Sequence, residues 1–505
     1  MISIRLSENS FWENRAEGYF FLLEENFSIS PNLKVIEKDC YPHLSEILKK
    51  HKFEGKCGQS FVLSGLRAGE LVQFVFVGIG KIDISWDKKL DHLRKAIDKL
   101  VKTMKNLEIK SGVLSIPYMH ERKDLKISEI VKQIAVSAQI ANYEFTAFKA
   151  DKKEEFSGEI ILTNGEKEVL AEEKALIEEF LFQGMTIGKA MNMARHWADT
   201  PPNVLTPTVF AKEVEALAKS ANLKYSVFGR DKAIELGMGG FACVDAGSDQ
   251  DGKFIIVEYK SDVKNASLIG LVGKGVTFDS GGISLKPSAG MTGMKYDMCG
   301  AAAVMATIKA ISEIKPDVDV VVVAPVVENM PSGKSSRQDD IVTFMNGKTA
   351  EIKSTDAEGR LILADALCYL QKFYKPTVII DIATLTKAVE IALGHFYAGL
   401  LSRDEKLVKE LEIAGQITGD KVWQLPLDDE YKPAIESDFA DLSNTGKSTY
   451  GAGTITAGLF LENFVDKNIP WAHLDIAGVA SDVPGIKGAS GAGIRLLVEY
   501  ILKHQ

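Results

Sequence analysis

The chain has 505 residues, with 60 Lys and Arg against 69 Asp and Glu, so that its formal net charge is −9. Hydrophobic residues make up 46% and charged residues 26%, a balance that excludes a disordered, collagen-like or disulfide-dense chain. The acidic balance also argues against a dedicated binder of nucleic acid or anionic membranes.

The first third of the chain alternates apolar strands with amphipathic helices, which predicts an α/β domain. The predicted strands are Leu71–Gly78, Gly112–Tyr118 and Glu159–Leu162, and the predicted helices are Trp86–Met104 and Ile127–Ala141. A long helix over Glu168–Met193 follows, and the pair Pro201-Pro202 ends it. This helix and turn are typical of a connection between two domains.

A second alternating pattern follows, and its strands are runs of Val and Ile. The predicted strands are Phe254–Val257, Leu268–Val272, Val318–Val323, Val378–Ile382 and Ala472–Ile476. Such continuous runs suit a sheet that helices cover on both faces. His473 lies inside the last strand, where we expect a hydrogen-bonded core residue rather than a metal ligand.

The chain lacks the common signatures of localisation and hydrolysis. No basic segment followed by an apolar one stands at the N-terminus, and the longest apolar run, Val318–Val327, is well short of the ~20 residues of a membrane span. The five cysteines are scattered and form no CxxC pair. We therefore expect a soluble cytoplasmic protein. HExxH and GxSxG are both missing, so a helix-borne zinc protease and a nucleophile-elbow hydrolase are excluded.

Three polar segments lie beside the predicted strands of the second domain. They are Val272–Pro287 with Lys274, Asp279 and Lys286; Met294–Ala303 with Asp297; and Ser354–Leu361 with Asp356, Glu358 and Arg360. Taken singly, each residue has an ordinary explanation as a helix cap or a solvated charge. Taken together, they place many charges beside apolar strands and glycines, where charges are costly unless they are paired or bind metal.

This set of residues suits a two-metal hydrolase. Carboxylates can bridge two divalent cations ~3.5–4 Å apart, and Zn²⁺ or Mn²⁺ can be held without histidine. A lysine ligates a metal only as the neutral amine, which requires a strongly lowered pKa. A second lysine that stays charged can stabilise the oxyanion of a tetrahedral intermediate.

The motif TDAEGRL at Thr355–Leu361, together with VGKGVTFDSGG and MKYDM, resembles the leucyl aminopeptidase family, the cytosol aminopeptidases. The resemblance covers most of residues 185–505. It implies a macro-like α/β domain over 1–165, a connecting helix and turn over 166–195, and a catalytic domain over 196–505 with a central, mostly parallel mixed sheet flanked by helices. It also implies a cytoplasmic homohexamer that releases N-terminal residues, Leu or similar, from peptides in peptide catabolism.

The resemblance further implies a site with two divalent cations, Zn²⁺ and/or Mn²⁺, and a bridging hydroxide that attacks the scissile carbonyl. By resemblance, the tighter cation is held by Lys274, Asp279, Asp297 and Glu358. The more exchangeable cation is held by Asp279, Asp356 and Glu358. Lys286 resembles the catalytic lysine that polarises the carbonyl, and Arg360 resembles the catalytic arginine that holds a bicarbonate.

The residues that border the substrate side chain in the family correspond here to Met294, Thr384, Lys387, Ala477 and Ala480. Lys387 stands where the family usually has glycine, and a lysine there would narrow the pocket or add a charge.

The alternative function is a regulatory, DNA-binding role of the first domain. Its candidate surface is the lysine-rich helix Trp86–Met104, although Asp87, Asp91 and Asp98 interrupt the basic residues.

Overall fold

The computed structural model describes residues 2–27, 31–81, 83–117, 126–151, 155–164 and 171–505. Two compact units make up the chain, Met1–Asn192 and Met193–Gln505, and the division falls inside the helix Ala171–Asp199. This helix extends beyond the predicted end at Met193. The predicted boundary between residues 165 and 166 lies outside the described residues, as do Tyr118 and residues 168–170 of the predicted helix.

The first unit is an α/β layer structure around a six-stranded sheet. Its strands are β1 (Ile2–Leu6), β2 (Gly18–Glu24), β3 (Ser60–Arg67), β4 (Glu70–Gly80), β5 (Ser111–Ser115) and β6 (Gly158–Thr163). Its helices are α1 (Pro31–Asp39), α2 (Leu44–Lys50), α3 (Trp86–Asn106) and α4 (Ile127–Asn142), with α5 (Ala171–Asp199) crossing the division. The sheet order is β1-β6-β5-β2-β4-β3, and every pair is parallel except the β3–β4 hairpin.

Helix α3 shows why this unit folds as its periodicity predicts. Leu90, Leu93, Ile97 and Leu100 recur at helical spacing and are fully buried in the core that β4 and α4 share. The tightly packed helix α4 is buried on most sides, which agrees with its less polar sequence.

The second unit is built on a nine-stranded mixed sheet and a small three-stranded sheet. Its strands are β7 (Lys224–Phe228), β8 (Lys253–Tyr259), β9 (Leu268–Gly273), β10 (Gly275–Asp279), β11 (Asp319–Asn329), β12 (Ile341–Thr343), β13 (Thr349–Glu351), β14 (Val378–Ala383), β15 (Ala398–Leu401), β16 (Val422–Gln424), β17 (Leu442–Ser443) and β18 (Trp471–Asp475). The main sheet has the order β16-β15-β18-β14-β9-β11-β8-β7, with β10 paired to β11. Its central pairs are parallel and its outer strands add antiparallel pairs, so the predicted mostly parallel mixed sheet is confirmed.

The helices of the second unit pack on this sheet. They are α6 (Pro207–Ser220), α7 (Arg230–Glu235), α8 (Gly239–Asp245), α9 (Ser288–Met291), α10 (Cys299–Ile314), α11 (Gly359–Tyr374), α12 (Lys387–Leu393), α13 (Glu405–Thr418), α14 (Gly453–Glu462) and α15 (Ile494–Leu502), with 3-10 turns at Met294–Met298, Asp429–Ile435 and Ser448–Tyr450. Every residue of β14 is buried, as expected of a strand covered on both faces. None of the described helices is both long and apolar enough to cross a membrane.

Two titratable side chains lie in the centre of this sheet without access to water. Asp381 of β14 and His473 of β18 are fully buried, and their Oδ1 and Nδ1 atoms lie 2.5 Å apart. Trp471 donates its indole N–H to the other oxygen of Asp381 at 2.7 Å. His473 is therefore a hydrogen-bonded core residue, and the pairing offsets the cost of burying the carboxylate.

The parallel strands of the main sheet bring three chain positions to one edge. Lys274 follows β9, Asn329 ends β11, and Thr384 follows β14. The carboxyl ends of parallel strands are the usual place for a ligand site in open α/β sheets. The candidate site described next lies at this edge.

Candidate metal centre

Lys274 lies at the centre of a buried cluster. Its Nζ is 2.8 Å from Oδ2 of Asp297 and 2.8 Å from Oε1 of Glu358, and it donates to the carbonyl of Thr384 at 2.9 Å. The lysine and both carboxylates are almost fully buried. A Cβ on Gly359 would lie 2.5 Å from Cε of Lys274, so the glycine that opens α11 leaves the space that the lysine fills.

Lys286 joins a second pair of carboxylates beside the first. Its Nζ is 2.8 Å from Oδ2 of Asp279 and 2.5 Å from Oδ1 of Asp356. One carboxylate oxygen from each of Asp279, Asp356 and Glu358 lies within 4.8 Å of the other two. The two lysine-centred groups are therefore neighbours and form one acidic cluster.

Three chain segments supply the acidic side chains, and each segment has a fixed local structure. Asp279 ends β10, which pairs with β11 up to Asn329. Asp297 lies in the 3-10 turn Met294–Met298, and its Oδ1 accepts a hydrogen bond of 2.8 Å from Oγ1 of Thr384. Glu358 is the N-cap residue of α11. The five predicted metal ligands and Lys286 are brought together here, and Arg360 follows Glu358 by two positions in the chain.

Burial and mutual repulsion act strongly on the carboxylates. Burial and the charge of Glu358 raise the pKa of Asp279 to about 6. Burial also raises the pKa of Asp297 well above its ordinary value, although Lys274 opposes this shift. Burial alone would raise the pKa of Glu358, but the charges of Lys274 and Lys286 outweigh it and lower this pKa.

The pKa values of the two lysines are also raised, although burial acts on them in the opposite direction. Burial lowers the pKa of Lys274, but Asp297, Glu358 and Asp279 together raise it above the ordinary value. The pKa of Lys286 is raised by Asp279 and Asp356 in the same way, also against the effect of burial. Both ammonium groups thus stay charged at neutral pH in the protein alone. A divalent cation bound by the same carboxylates would take over the role of the Lys274 charge and favour its neutral amine.

Two oxygen atoms of this cluster are cut off from water. Oδ2 of Asp297 and Oε1 of Glu358 are inaccessible, and each lies 2.8 Å from Nζ of Lys274. One ammonium group thus serves two buried carboxylates, whose burial costs free energy unless positive charge lies beside them. The donor set therefore fits divalent cations such as Zn²⁺ or Mn²⁺.

Arg360, in the first turn of α11, is a buried guanidinium. Its Nε is inaccessible and has no hydrogen-bond partner in the part of the chain that the structure describes. Burial lowers its pKa to about 10, with Glu358 and Asp475 opposing the shift, so the group is charged at neutral pH. An unpaired, buried guanidinium fits a small anion with planar oxygen atoms.

The predicted pocket residues differ in their contacts and in their exposure to solvent. Thr384 contacts both Asp297 and Lys274, so it belongs to the cluster itself. Ala477 and Ala480 follow β18, and Ala480 is buried. Met294 opens the 3-10 turn that carries Asp297. Lys387 is the first residue of α12, where its side chain is 74% exposed and pairs with Glu390 at 2.5 Å.

Sequence reasoning missed one buried residue of the cluster. Asn329 donates its amide to Oδ1 of Asp279 at 2.8 Å and to the carbonyl of Thr355 at 3.0 Å. The only sequence feature that points to Asn329 is weak: it is a polar residue at the end of a long apolar strand.

Comparison with known proteins agrees with this geometry. The sequence model of the cytosol aminopeptidase family, catalytic domain, matches residues 192–498, and that of the family's N-terminal domain matches residues 20–152. This chain belongs to the cytosol aminopeptidase family. A probable cytosol aminopeptidase of Rickettsia bellii is 39% identical over 513 residues, covering 99% of each chain. Another from Nitrosospira multiformis is 39% identical over 479 residues, covering 95% of this chain and 91% of that one.

Solved structures show the same fold over almost the whole length. A mutant of tomato leucine aminopeptidase matches with a TM-score of 0.88 and 30% identity, covering 100% of this chain and 97% of that chain. The bottromycin maturation enzyme BotP, in complex with Mn, matches with a TM-score of 0.82 and 28% identity, covering 97% of this chain and 99% of that chain. The predicted family and the predicted α/β fold with two domains are confirmed.

Proposed function

We propose that this metal-dependent aminopeptidase, a metallo-exopeptidase of the leucyl aminopeptidase type, works with two divalent cations and removes Leu or similar residues from peptides. The observation that carries the proposal is the buried cluster in which Lys274 and Lys286 each join two carboxylates. We further propose residues 1–165 as the N-terminal domain, 166–195 as the connecting helix and turn, and 196–505 as the catalytic domain.

Two overlapping ligand sets would hold the cations. The first comprises Lys274, Asp279, Asp297 and Glu358, and the second comprises Asp279, Asp356 and Glu358. The buried oxygens of Asp297 and Glu358 beside Lys274 support the first set, and the close oxygens of Asp279, Asp356 and Glu358 support the second. Bound Zn²⁺ or Mn²⁺ supplies a Lewis acid and lowers the pKa of water to generate a nucleophile.

The chain's own residues would do the rest of the chemistry. Lys286 keeps its proton and donates a hydrogen bond to the oxygen that becomes negative in the transition state. Arg360 would hold an anion such as bicarbonate, which can accept a proton from the attacking water. The low exposure of Lys274, Asp279 and Glu358 keeps the carboxylates in a medium where charge interactions are strong.

Side-chain preference would be set where the substrate's first residue lies. We assign this pocket to Met294, Thr384, Lys387, Ala477 and Ala480. The small side chains Ala477 and Ala480 leave room for an apolar side chain such as that of Leu. Lys387, which pairs with Glu390, would then add a charged pair beside this pocket. We also propose a cytoplasmic homohexamer that acts in peptide catabolism, as the resemblance implies.

The contacts of helix α3 do not favour a DNA-binding role, and we do not propose one. Lys102 pairs with Asp98 at 2.8 Å, and Lys105 pairs with Glu144 at 2.5 Å. Basic residues that carboxylates already neutralise form a solvated helix face rather than a phosphate-binding stripe.

The direct test is hydrolysis of leucine p-nitroanilide by the purified chain with Mn²⁺ or Zn²⁺. We expect activity with added metal, loss of activity with a chelator, and recovery when metal is returned. Replacing Asp356 by alanine should remove most of the activity, because it removes a carboxylate of the second set. The proposal fails if wild-type protein hydrolyses no aminoacyl substrate, or if the chelator or the substitution has no effect.

The raised pKa values make metal binding depend on pH. Asp279 has a pKa of about 6 and that of Asp297 is also raised, so protons compete with cations at acidic pH. Metal affinity should therefore rise with pH across the acidic range, and binding should release protons. Isothermal titration calorimetry of Mn²⁺ in buffers of different ionisation enthalpy measures both quantities. An affinity that is constant from about pH 5 to 7 would contradict this expectation.

Lys274 adds a separate signal in the same experiment. At about pH 8, above the pKa of Asp279, Lys274 still carries a proton that ligation must displace. The variant Lys274→Met should therefore release about one proton fewer than wild type on binding Mn²⁺. Equal release by the two proteins would show that Lys274 does not ligate the metal.

A further inference from the structure

Asn329 is fixed at the point where two strands end beside the acidic cluster. It is the last residue of β11 and lies opposite Asp279, the last residue of β10, in a parallel pair. Its backbone carbonyl accepts two hydrogen bonds from Ser280, one from the N–H at 3.0 Å and one from Oγ at 2.7 Å. Asn329 as a whole is 5% exposed. Neither backbone nor side chain of Asn329 is therefore free to move.

The side-chain amide of Asn329 joins two segments of the cluster. Nδ2 donates to Oδ1 of Asp279 at 2.8 Å and to the backbone carbonyl of Thr355 at 3.0 Å. Both partners are acceptors, so only the NH₂ end of the amide fits there, which fixes its orientation. One side chain thus connects the segment that carries Asp279 to the turn that carries Asp356 and Glu358.

These hydrogen bonds distinguish the two oxygens of Asp279. Oδ1 accepts from Asn329 and also from the N–H of Gly281 at 2.9 Å. The other oxygen, Oδ2, lies 2.8 Å from Nζ of Lys286, which also contacts Asp356. Oδ1 is therefore engaged by the scaffold, and Oδ2 is the oxygen that faces the cluster.

The surrounding loop is shaped to admit this amide. Gly282 has a φ of +66°, and a Cβ there would lie 2.8 Å from Oδ1 of Asn329 and 2.9 Å from Oγ1 of Thr355. Thr355 in turn donates its hydroxyl to the carbonyl of Gly281 at 2.6 Å and accepts from the N–H of Ser284 at 2.7 Å. A side chain at position 282 would push the amide away from Asp279, and φ in this range already favours glycine.

We propose that Asn329 is a positioning residue of the metal centre, which occupies Oδ1 of Asp279 so that Oδ2 alone is presented to the cations. This inference rests on the proposed two-metal function. A hydrogen bond donated to a carboxylate favours its charged form and fixes its rotation, and both effects strengthen metal binding. The second hydrogen bond, to Thr355, holds the turn of Asp356 and Glu358 at a constant distance from Asp279.

The test compares Asn329→Ala with Asn329→Leu in the full chain. Alanine removes the amide and its volume, whereas leucine removes the donor and keeps a branched side chain of similar size. We expect both variants to bind Mn²⁺ about 10–100-fold more weakly than wild type in calorimetric titrations of the metal-free protein. The melting temperature of each metal-free variant shows whether it is folded, and the alanine variant carries the test if leucine prevents folding.

A matched control separates this role from a general loss of amide hydrogen bonds. Asn463 donates Nδ2 to the carbonyl of Leu459 at 2.9 Å and accepts from Lys348 at 2.8 Å, without contact to the cluster. Asn463→Ala should keep wild-type metal affinity. The inference is overturned if Asn329→Ala binds Mn²⁺ within about twofold of wild type, if leucine restores binding, or if Asn463→Ala weakens binding equally. Wild-type protein that neither binds metal nor cleaves substrate would instead refute the proposed function.

Discussion

Lys286→Ala is expected to lower kcat by about 10²–10³-fold while KM stays close to the wild-type value, because one oxyanion donor is lost. Nζ of Lys286 lies 2.8 Å from Asp279 and 2.5 Å from Asp356, which hold the ammonium at the edge of the cluster. Burial lowers the pKa of Lys286, but these carboxylates raise it above its ordinary value, so the group is charged at neutral pH.

The effect falls on kcat because the substrate carbonyl carries little charge before the reaction. A charged donor interacts more strongly with the developing oxyanion than with the neutral carbonyl, so its contribution is made mainly in the transition state. Initial rates on leucine p-nitroanilide over a range of concentrations separate kcat from KM. Metal content, measured by mass spectrometry after dialysis, should equal that of wild type, because the carboxylates remain.

Lys309→Ala is the matched control for this substitution. Lys309 is a partly buried lysine of α10 that pairs with Glu313 at 2.9 Å and has no contact with the cluster. We expect it to leave kcat unchanged. If Lys286→Ala loses its metal, the fall in kcat reflects metal loss and does not support a role as oxyanion donor. A rise in KM at constant kcat would also contradict the assignment.

The hydrophobic pattern predicts the central sheet well, because a strand buried on both faces needs a continuous apolar run. Val378–Ile382 was predicted and Val378–Ala383 is observed. The strand that starts near Val318 was predicted to end at Val323, but β11 continues through Pro325 to Asn329. Proline lacks a backbone donor and is rare inside sheets, so local propensity predicts that the strand ends before Pro325. Pairing of β11 with β8 and β10 extends the strand beyond this proline.

The convergence of the site depends on long-range strand order, which local sequence does not encode. Lys274 and Glu358 are 84 positions apart in the sequence, yet Nζ and Oε1 lie 2.8 Å apart because β9 and the start of α11 meet at one edge. The resemblance of the motifs to the family predicts this grouping. Their spacing in the sequence shows only that charged residues lie beside apolar strands. The cost of burying charges singles out these residues in the sequence, and the strand order of the main sheet explains why they meet.

The sequence does not predict which neighbours the side chains around the site contact. Asn329 has no motif of its own, and its role follows only from two hydrogen-bond distances. Thr384 was predicted to border the substrate side chain, and its hydroxyl is found to bond Asp297. Lys387 pairs with Glu390 on its own helix, so its charge is already partly neutralised before a substrate arrives.

The second large effect is expected for Glu358→Gln, which should lower kcat/KM by more than about 10³-fold. Glu358 belongs to both proposed ligand sets, so its loss weakens both cation sites at once. Cations bound there would supply several kcal/mol of transition-state stabilisation, and each ~1.4 kcal/mol is a factor of ten in rate. Glutamine keeps the size of the side chain but removes its charge, so a loss reports on charge and ligation rather than on packing.

The two neighbouring lysines favour the charged form of Glu358. Burial would raise its pKa, but Lys274 and Lys286 outweigh burial and lower it, so the side chain is a carboxylate at neutral pH. With glutamine in its place, Nζ of Lys274 would keep only Asp297 as a close carboxylate partner. We therefore expect the dialysed variant to contain less Mn²⁺ than wild type, and excess metal to restore only part of the activity.

Glu351→Gln is the control, because Glu351 is also a buried glutamate that a lysine neutralises. Its Oε1 lies 2.5 Å from Nζ of Lys353, and its Oε2 accepts from Ser437 at 2.6 Å. Its substitution breaks an ion pair of the same kind without touching the cluster, so metal content and kcat should be preserved. If Glu358→Gln keeps its metal and more than about one tenth of wild-type kcat/KM, a loss below ~1.4 kcal/mol, Glu358 does not bridge the two cations. If both variants lose activity equally, the loss reflects disruption of the fold around α11 instead.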